Sequence, residues 1–495
     1  MRHLIDPQMQ FGEQDIAQIR LDPRSRDDIP QLLRGLQYIY TTPAVRDEVF
    51  AILSEVLPAS EDGQGRASTE TGRPGMAQWK ILVLGTVRLG LNIDYDRLQE
   101  LANQHNTLRQ MLGHGAWSEE EQYALQTLRD NLRLFTPELL ERINQVVVHA
   151  GHCLVKKSPD DALEVRADSF VVETHVHYPT DTNLLFDAIR KTIETCADLC
   201  AGEGLSDWRQ SAHNVRVFKK AYRRTQQLKR SGAKDPAKRQ ARQGEIEQAY
   251  RHYLQLAEGH LNRARLTRVK LRVVCRFPEV MLVELDRYVA HAERQVDQTR
   301  RRVLLGQRIP HEEKVFSIFQ PHTEWIVKGK AGVPVELGLR VAVVEDQHRF
   351  LLSHRVMEKT TDDQIAVPLI TDICARYPRI RSASLDKGFH SPANQQALAE
   401  VVDFPVMPKK GKRTQAESER ENDPQFIRLR HRHSAVESAI NALEVHGLDI
   451  CRDHGIDGFK RYVAMAVVAR NIQRIGAILQ AREAEREKRR RQRAA

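Results

Sequence analysis

"LEVRADSFVVETHV" occupies residues 163–176. It is short, rich in β-branched residues and without helical spacing, whereas residues 1–150 before it read as mostly helical. A buried strand is therefore expected here, carrying Asp168. A second strand, 380–386, runs into "SASLDKGFHS" (382–391) and ends at Asp386, with Lys387, Gly388 and Phe389 directly behind it. A buried strand gains nothing from an unpaired charge. An Asp at a strand tip before a Gly turn is either a turn residue or a site residue, and the rest of the chain has to decide.

Between the two strands lies a long helical, charged stretch from 206 to about 305. Its segment "RQSAHNVRVFKKAYRRTQQLKRSGAKDPAKRQARQ" (209–243) holds one acid, Asp235, among many Lys and Arg. Such a run is a solvated helix face or a phosphate-contacting one, since clustered cations release counterions from DNA. Lys219, Lys220, Arg223 and Arg224 form two adjacent pairs at helical spacing and are the candidate DNA contacts.

Strands return after 313. A pair, 335–344 and 349–356, is joined by the polar turn "EDQH". Then come a helix (362–377), the strand ending in Asp386, a helix (391–401), the short strand "FPVMP" and a basic polar loop (409–425). "HSAVESAINALEVHGLD" reads as a helix from Ser434 to a stop at Gly447, and Ser434 with Glu437 fits a capping box. In the last helix Val468, Ile472, Ile475 and Leu479 line one face, which must pack on something.

With the helical stretch removed, three antiparallel strands, a crossover helix, a strand, a helix, a strand and a helix remain. That is the ribonuclease H-like order, in which the first and fourth strands lie side by side. The expected fold class is thus an α/β ribonuclease H-like core with a helical N-terminal domain and a long helical insertion. Expected boundaries are 1–150 for a helical N-terminal domain, whose segment 72–112 reads as a plain bundle or as a DNA-binding module, the DNA-binding reading being the one adopted, 151–181 plus 313–480 for the core, 182–312 for the basic insertion and 481–495 for a charged tail. A polar, Gly-rich linker is expected at 61–75.

Asp168, Asp386 and Glu437 fall on the first strand, the fourth strand and the late helix. Clustered carboxylates repel one another unless cations are bound. Hard ions such as Mg²⁺ or Mn²⁺ suit them, and two such ions can hold the attacking and leaving oxygens of a phosphodiester. His433 and Asn441 flank Glu437 and are either phosphate contacts or polar surface. His175 and His177 read as strand-edge residues.

The totals agree with an anionic partner. The 495 residues carry a net charge of +10 and 41% hydrophobic residues. No segment approaches the roughly 20 apolar residues of a spanning helix, and "MRHLIDPQMQFGEQDIAQIR" has no signal-peptide core, so a cytoplasmic, nucleoid-associated protein is expected. The six cysteines form no CxxC pair and read as ordinary thiols of a reducing compartment. No G-x-x-x-x-G-K-[ST] loop points to an ATP-driven motor.

These segments together resemble the DDE-type transposases of bacterial insertion sequences. The matching stretches are "RADSFVVETHVHYPTDTNLLFDAIR", "IFQPHTEWIVKGKAGVPVELGLR" (318–340), "LDKGFHSPAN" (385–394) and "RHRHSAVESAINALEVHGLD" (430–449). "GRPGMAQWKILVLGTVRLGLNIDYDRLQELA", from Gly72, looks like that branch's N-terminal domain. The resemblance implies a Mg²⁺- or Mn²⁺-dependent enzyme with two ions, cutting transposon ends and joining the 3′-hydroxyl to target DNA. It implies Asp168, Asp386 and Glu437 as catalytic and metal-holding residues, and Arg430 as a basic residue near the phosphate. Its partners would be double-stranded DNA, as terminal inverted repeats and target, and further copies of the chain, at least a dimer. The long basic insert departs from shorter members. A hydrolytic nuclease with the same core, or an inactive DNA-binding derivative, are the alternatives.

Overall fold

A computed structural model describes residues 3–5, 12–56, 75–115, 122–156, 158, 161–230, 236–327 and 334–494. The expected linker at 61–75 lies, but for Gly75, outside these residues. The chain forms two compact units, Met1–His175 with Ile326–Ala495, and Val176–Trp325.

The first unit is mixed α/β. Its strands are β1 (Leu163–Thr174), β2 (Glu324–Val327), β3 (Val335–Asp346), β4 (Leu351–Met357), β5 (Ile380–Leu385), β6 (Phe404–Val406) and β7 (Ile450–Cys451). They form an open sheet in the order β2-β3-β1-β5-β6, with β4 also on β3 and β7 on β1. β3 runs antiparallel to β1, with Val343 opposite Asp168. β4 is antiparallel to β3, while β5 is parallel to β1 and β6 to β5. The hairpin is short because Arg349 turns with φ +66°.

β1 alternates as its sequence demands. Leu163, Val165 and Ala167 are buried, and Glu164, Arg166 and Asp168 share the opposite, half-buried face. The helix Asp362–Arg376 crosses from β4 to β5, and Pro392–Val401 from β5 to β6. Beyond β6 the structure departs from the expected loop at 409–425. Gln415–Glu421 is helical, started by a capping box in which Thr414 Oγ1 accepts from Glu417 N. A further helix, Pro424–His433, follows.

Residues 1–150 do not stand apart, in contrast to the expected domain boundary. The helices Asp28–Thr41, Gln78–Gly90 and Pro137–Val155 share one apolar core with the sheet and with the last helix, Gly455–Ala494. Gln78–Gly90 is buried all round, every residue but Lys80. The last helix meets Asp28–Thr41 backbone to backbone. A Cβ on Gly35 would lie 2.1 Å from the Ile472 carbonyl oxygen, and one on Gly476 1.8 Å from that of Gln31. Only glycine permits that approach. A buried polar knot adds direction: Asn471 Nδ2 donates to Asn144 Oδ1 (2.7 Å) and to the Leu351 carbonyl (2.9 Å).

The second unit is helical, with Asp181–Gly202, Ser211–Arg230, Pro236–Val274, Pro278–Met281 and Val283–Thr299. Its core contains Leu185, Ile189, Trp208, Phe218, Tyr253 and Leu285. Phe218 stacks on Tyr253 with ring centroids 4.7 Å apart. Cys196 and Cys200 are buried in this core as free thiols, and burial pushes Cys196 up to about 12. Cys153, in the first unit, is exposed.

Candidate active site

The parallel ladder between β1 and β5 pairs Arg166 with Ser384 and Ala167 with Leu385, and stops there. Asp168 and Asp386 are the next residues on each side. In an open sheet, the carboxyl ends of parallel strands are where backbone leaves room for a ligand. β5 ends at Leu385, so Asp386 is the first residue beyond the strand. Its carboxylate accepts from Gly388 N (3.4 Å) and starts a short 3-10 turn, Lys387–Phe389. Asp386 is therefore a turn residue, and its exposed carboxylate also belongs to a cluster.

Asp168 is the centre of that cluster. Its carboxylate accepts from Ser169 N at 2.7 Å. Burial pushes it up to about 6, against the lowering effect of that bond, and the charges of Asp386, Asp362 and Glu437 push it the same way. Glu437 sits in the first turn of the helix Ala435–Leu443, which buries Val436, Ala439 and Leu443. Its carboxylate is exposed. The expected capping box does not form: Ser434 is itself helical (φ −54°, ψ −21°), and its hydroxyl donates to the His431 carbonyl (3.0 Å). The helical path ends as expected at Gly447, where φ is +113°.

Asp362 was not anticipated. It opens the helix Asp362–Arg376, where acids are common for reasons of the helix dipole alone, and that ordinary reading hid it. Its Oδ1 is buried with no hydrogen-bond partner. A Cβ on Gly388 would come within 3.0 Å of Asp362 Oδ2. Gly388 thus serves to let Asp362 approach the turn behind Asp386.

The helix Pro424–His433 is pinned to the polar face of β1. Glu164 takes Arg432 (2.6 Å) and Arg428 (3.2 Å), and Arg166 donates to the Arg432 carbonyl (3.2 Å) and to Glu345 (2.7 Å). That clamp delivers His433 to Ser384, with Nδ1 3.1 Å from the hydroxyl oxygen. Burial keeps the His433 imidazole below its usual pKa, so it is neutral at pH 7, while Asp386 and Glu437 act in the opposite sense. Neither Arg166 nor Ser384 was singled out from sequence. The signal was the period-2 alternation of β1, which puts Arg166 on the face of Asp168.

Other expected residues lie elsewhere. Arg430 is exposed, its guanidinium 3.9 Å from Glu421, which also holds Arg413 (3.0 Å). Asn441 is exposed on the helix behind Glu437. His175 is exposed just beyond β1, and His177 lies 3.3 Å from Asp187 in the second unit. Lys219, Lys220, Arg223 and Arg224 are all exposed on the helix Ser211–Arg230 of the second unit, which buries Phe218 and Leu228 on its other side. Among the described residues none of the four is paired with an acid.

Among the described residues no group of three or more His, Cys, Asp or Glu is closed tightly enough to hold a metal ion as it stands. The donor set nonetheless suits a hard cation in kind: four carboxylates, one forced to about 6 and one with a buried, unpartnered oxygen. No family model, curated protein or solved structure matches the chain.

Proposed function

We propose that the protein is a DDE-type DNA transposase with a ribonuclease H-like catalytic core. The observation that carries this reading is the meeting of Asp168 and Asp386, from the ends of one parallel ladder, with Glu437 from a late helix. The strand order, the antiparallel hairpin of β3 and β4 and the parallel continuation through β5 and β6 support the core assignment. The sequence resemblance supports the transposase assignment.

Asp168, Asp386 and Glu437 would hold Mg²⁺ or Mn²⁺, with Asp362 as a fourth carboxylate facing them. Bound ions supply positive charge for the attacking and leaving oxygens of an in-line displacement. The chain's own groups do the rest. A bound cation would relieve the mutual repulsion of the carboxylates. The peptide N–H of Ser169 fixes one oxygen of Asp168. His433, neutral and held by Ser384, offers a polar edge beside Asp386 without adding charge. The free cations of the helix Ser211–Arg230 would contact phosphates of double-stranded DNA.

The test is a supercoiled plasmid carrying the DNA that flanks the coding sequence, incubated with protein and Mg²⁺ or Mn²⁺. Nicking at the element's ends followed by joined products on a second plasmid supports a transposase. Cutting without joining makes it a nuclease on the same core. Binding without cutting in either metal makes it an inactive derivative.

A further inference from the structure

The second unit holds a cavity of about 340 Å³, and every residue lining it lies between Tyr178 and Trp325, inside that unit. Small-molecule sites span roughly 300–1,000 Å³, so this one suits a single compact ligand. Four of its lining rings meet in series. Tyr178 and Trp325 have centroids 5.5 Å apart, Trp325 and Phe316 5.6 Å, and Phe316 and His311 5.3 Å. Tyr178 is 61% exposed, and Trp325 and Phe316 are only half-buried, so the ring surface is not consumed by the unit's own core. A flat aromatic ring is the ligand that such a wall stacks best.

The polar groups narrow the ligand further. Gln298 lines the cavity and is 3% exposed. Its Nε2 donates to the Glu313 carbonyl (2.7 Å), which fixes the amide one residue from Lys314, and its Oε1 accepts no hydrogen bond among the described residues. A buried amide oxygen without a donor is a place for an N–H group. Two lining residues carry a permanent cation. Arg302 is held by Asp181 (2.8 Å), whereas Lys314 is exposed and has no acid partner among the described residues. A free ammonium beside the ring wall calls for one anionic group.

We propose that this cavity binds a free nucleoside monophosphate whose base carries an exocyclic amine. The base stacks on the wall of Trp325 and Phe316, its amine donates to Gln298 Oε1, and its phosphate meets Lys314. A single DNA strand carries the same groups, but the surroundings of Lys314 disfavour it. Glu312 and Glu313 directly precede that lysine in the chain. Glu313 is turned to Arg301 (2.6 Å), while Glu312 is exposed and has no cation partner among the described residues. A run of phosphates would meet that negative charge, and a single phosphate on Lys314 need not.

The inference does not rest on the reading of the carboxylates, and its test contains no metal. The full-length protein is titrated with adenosine 5′-monophosphate by calorimetry, in a buffer with chelator. The expected result is one site per chain with a Kd of about 100 µM or tighter. Purine riboside 5′-monophosphate, which lacks the amine, should bind about tenfold more weakly. Trp325→Ala should abolish binding of both. Lys314→Gln, at an exposed position, should weaken the monophosphate at least about tenfold and leave adenosine, which has no phosphate, unchanged. Melting curves check that both variants fold, and if Trp325→Ala does not, the Lys314→Gln comparison decides. Absence of binding at about 1 mM monophosphate overturns the proposal. So does monophosphate binding that folded Lys314→Gln leaves unaltered, or a loss of adenosine equal to that of the monophosphate. A single-stranded oligonucleotide that needs Trp325 and Lys314, where the monophosphate does not bind, overturns it as well.

Discussion

Asp168 and Asp386 are successors of one paired couple: Ala167 faces Leu385 in the last register of the parallel ladder, and each aspartate is the next residue along the chain. The ladder sets the two backbones side by side, so the carboxylates can separate only by rotation of their side chains or a shift of the turn at Asp386. Their repulsion is built into the fold, and the first prediction concerns its cost.

Asp168 ordinarily has a pKa of 3.8 and is pushed up to about 6 in the fold. A carboxyl group with a raised folded value favours the fold when protonated. That advantage is full below about pH 4 and is lost as pH rises through about 6. Asp168→Asn keeps the shape without the charge. It should melt higher than the wild type at pH 7.5 in a chelator, by a few degrees, and the gap should close near pH 4. Mn²⁺ should raise the melting temperature of the wild type and leave that of the variant nearly unmoved. A gap independent of pH would remove Asp168 from the cluster.

Gly388→Ala tests Asp362. The new Cβ would meet Asp362 Oδ2 at 3.0 Å, so that carboxylate must shift by a few tenths of an ångström. Mn²⁺ binding by calorimetry should weaken by about tenfold while the melting temperature changes by less than about 2 °C. Asp362→Asn should weaken it too. Unaltered Mn²⁺ affinity in both variants would return Asp362 to the role of a helix-starting acid.

Replacing Lys219, Lys220, Arg223 and Arg224 by Gln tests the basic face. Each phosphate contact contributes roughly 0.9 to the slope of log affinity against log salt, so the slope should fall by about 3 to 4. Affinity for terminal-repeat and random duplexes should drop by the same factor. An unchanged slope would mean that the face is merely solvated.

Gly35→Ala tests the crossing of the first and last helices. Its Cβ would sit 2.1 Å from the Ile472 carbonyl oxygen, and backbone cannot step aside as a side chain can. A loss of about 3 kcal/mol is expected, read as a melting temperature several degrees lower. A melting curve identical to the wild type's would mean that the helices cross elsewhere.

What was legible in the sequence followed the strength of its periodicity. The β-branched run at 163–176 announced β1 but not its half-buried polar face, and Val468, Ile472 and Ile475, all buried, marked the packed face of the last helix. The separate N-terminal domain was misjudged because no sequence pattern tells which apolar face meets which. Gly35, Gly476 and the Asn144–Asn471 knot join segments more than 300 residues apart. Asp168, Asp386 and Glu437 were placed by element order: Asp386 just past β5, Glu437 in the first turn of its helix, and Asp168 within β1 one residue beyond its pairing with β5. Asp362 was missed because a helix-starting Asp looks the same with or without a site beside it. Helix phase sends Arg430 toward Glu421, while Arg428 and Arg432 turn to Glu164.

The most direct measurement of the central claim compares Asp386→Asn with the wild type on DNA carrying the element's ends. Cleavage in Mg²⁺ or Mn²⁺ and binding in Ca²⁺ are followed side by side. The substitution keeps the side chain's shape and an oxygen to accept from Gly388 N, and removes only the charge. The account predicts cleavage lower by at least about 1000-fold with end binding within about twofold, and Asp168→Asn or Glu437→Gln adding little in double variants, because the three act as a unit. Near-wild-type cleavage by Asp386→Asn, in a preparation free of contaminating nuclease, would contradict it and leave Asp386 as a turn residue alone.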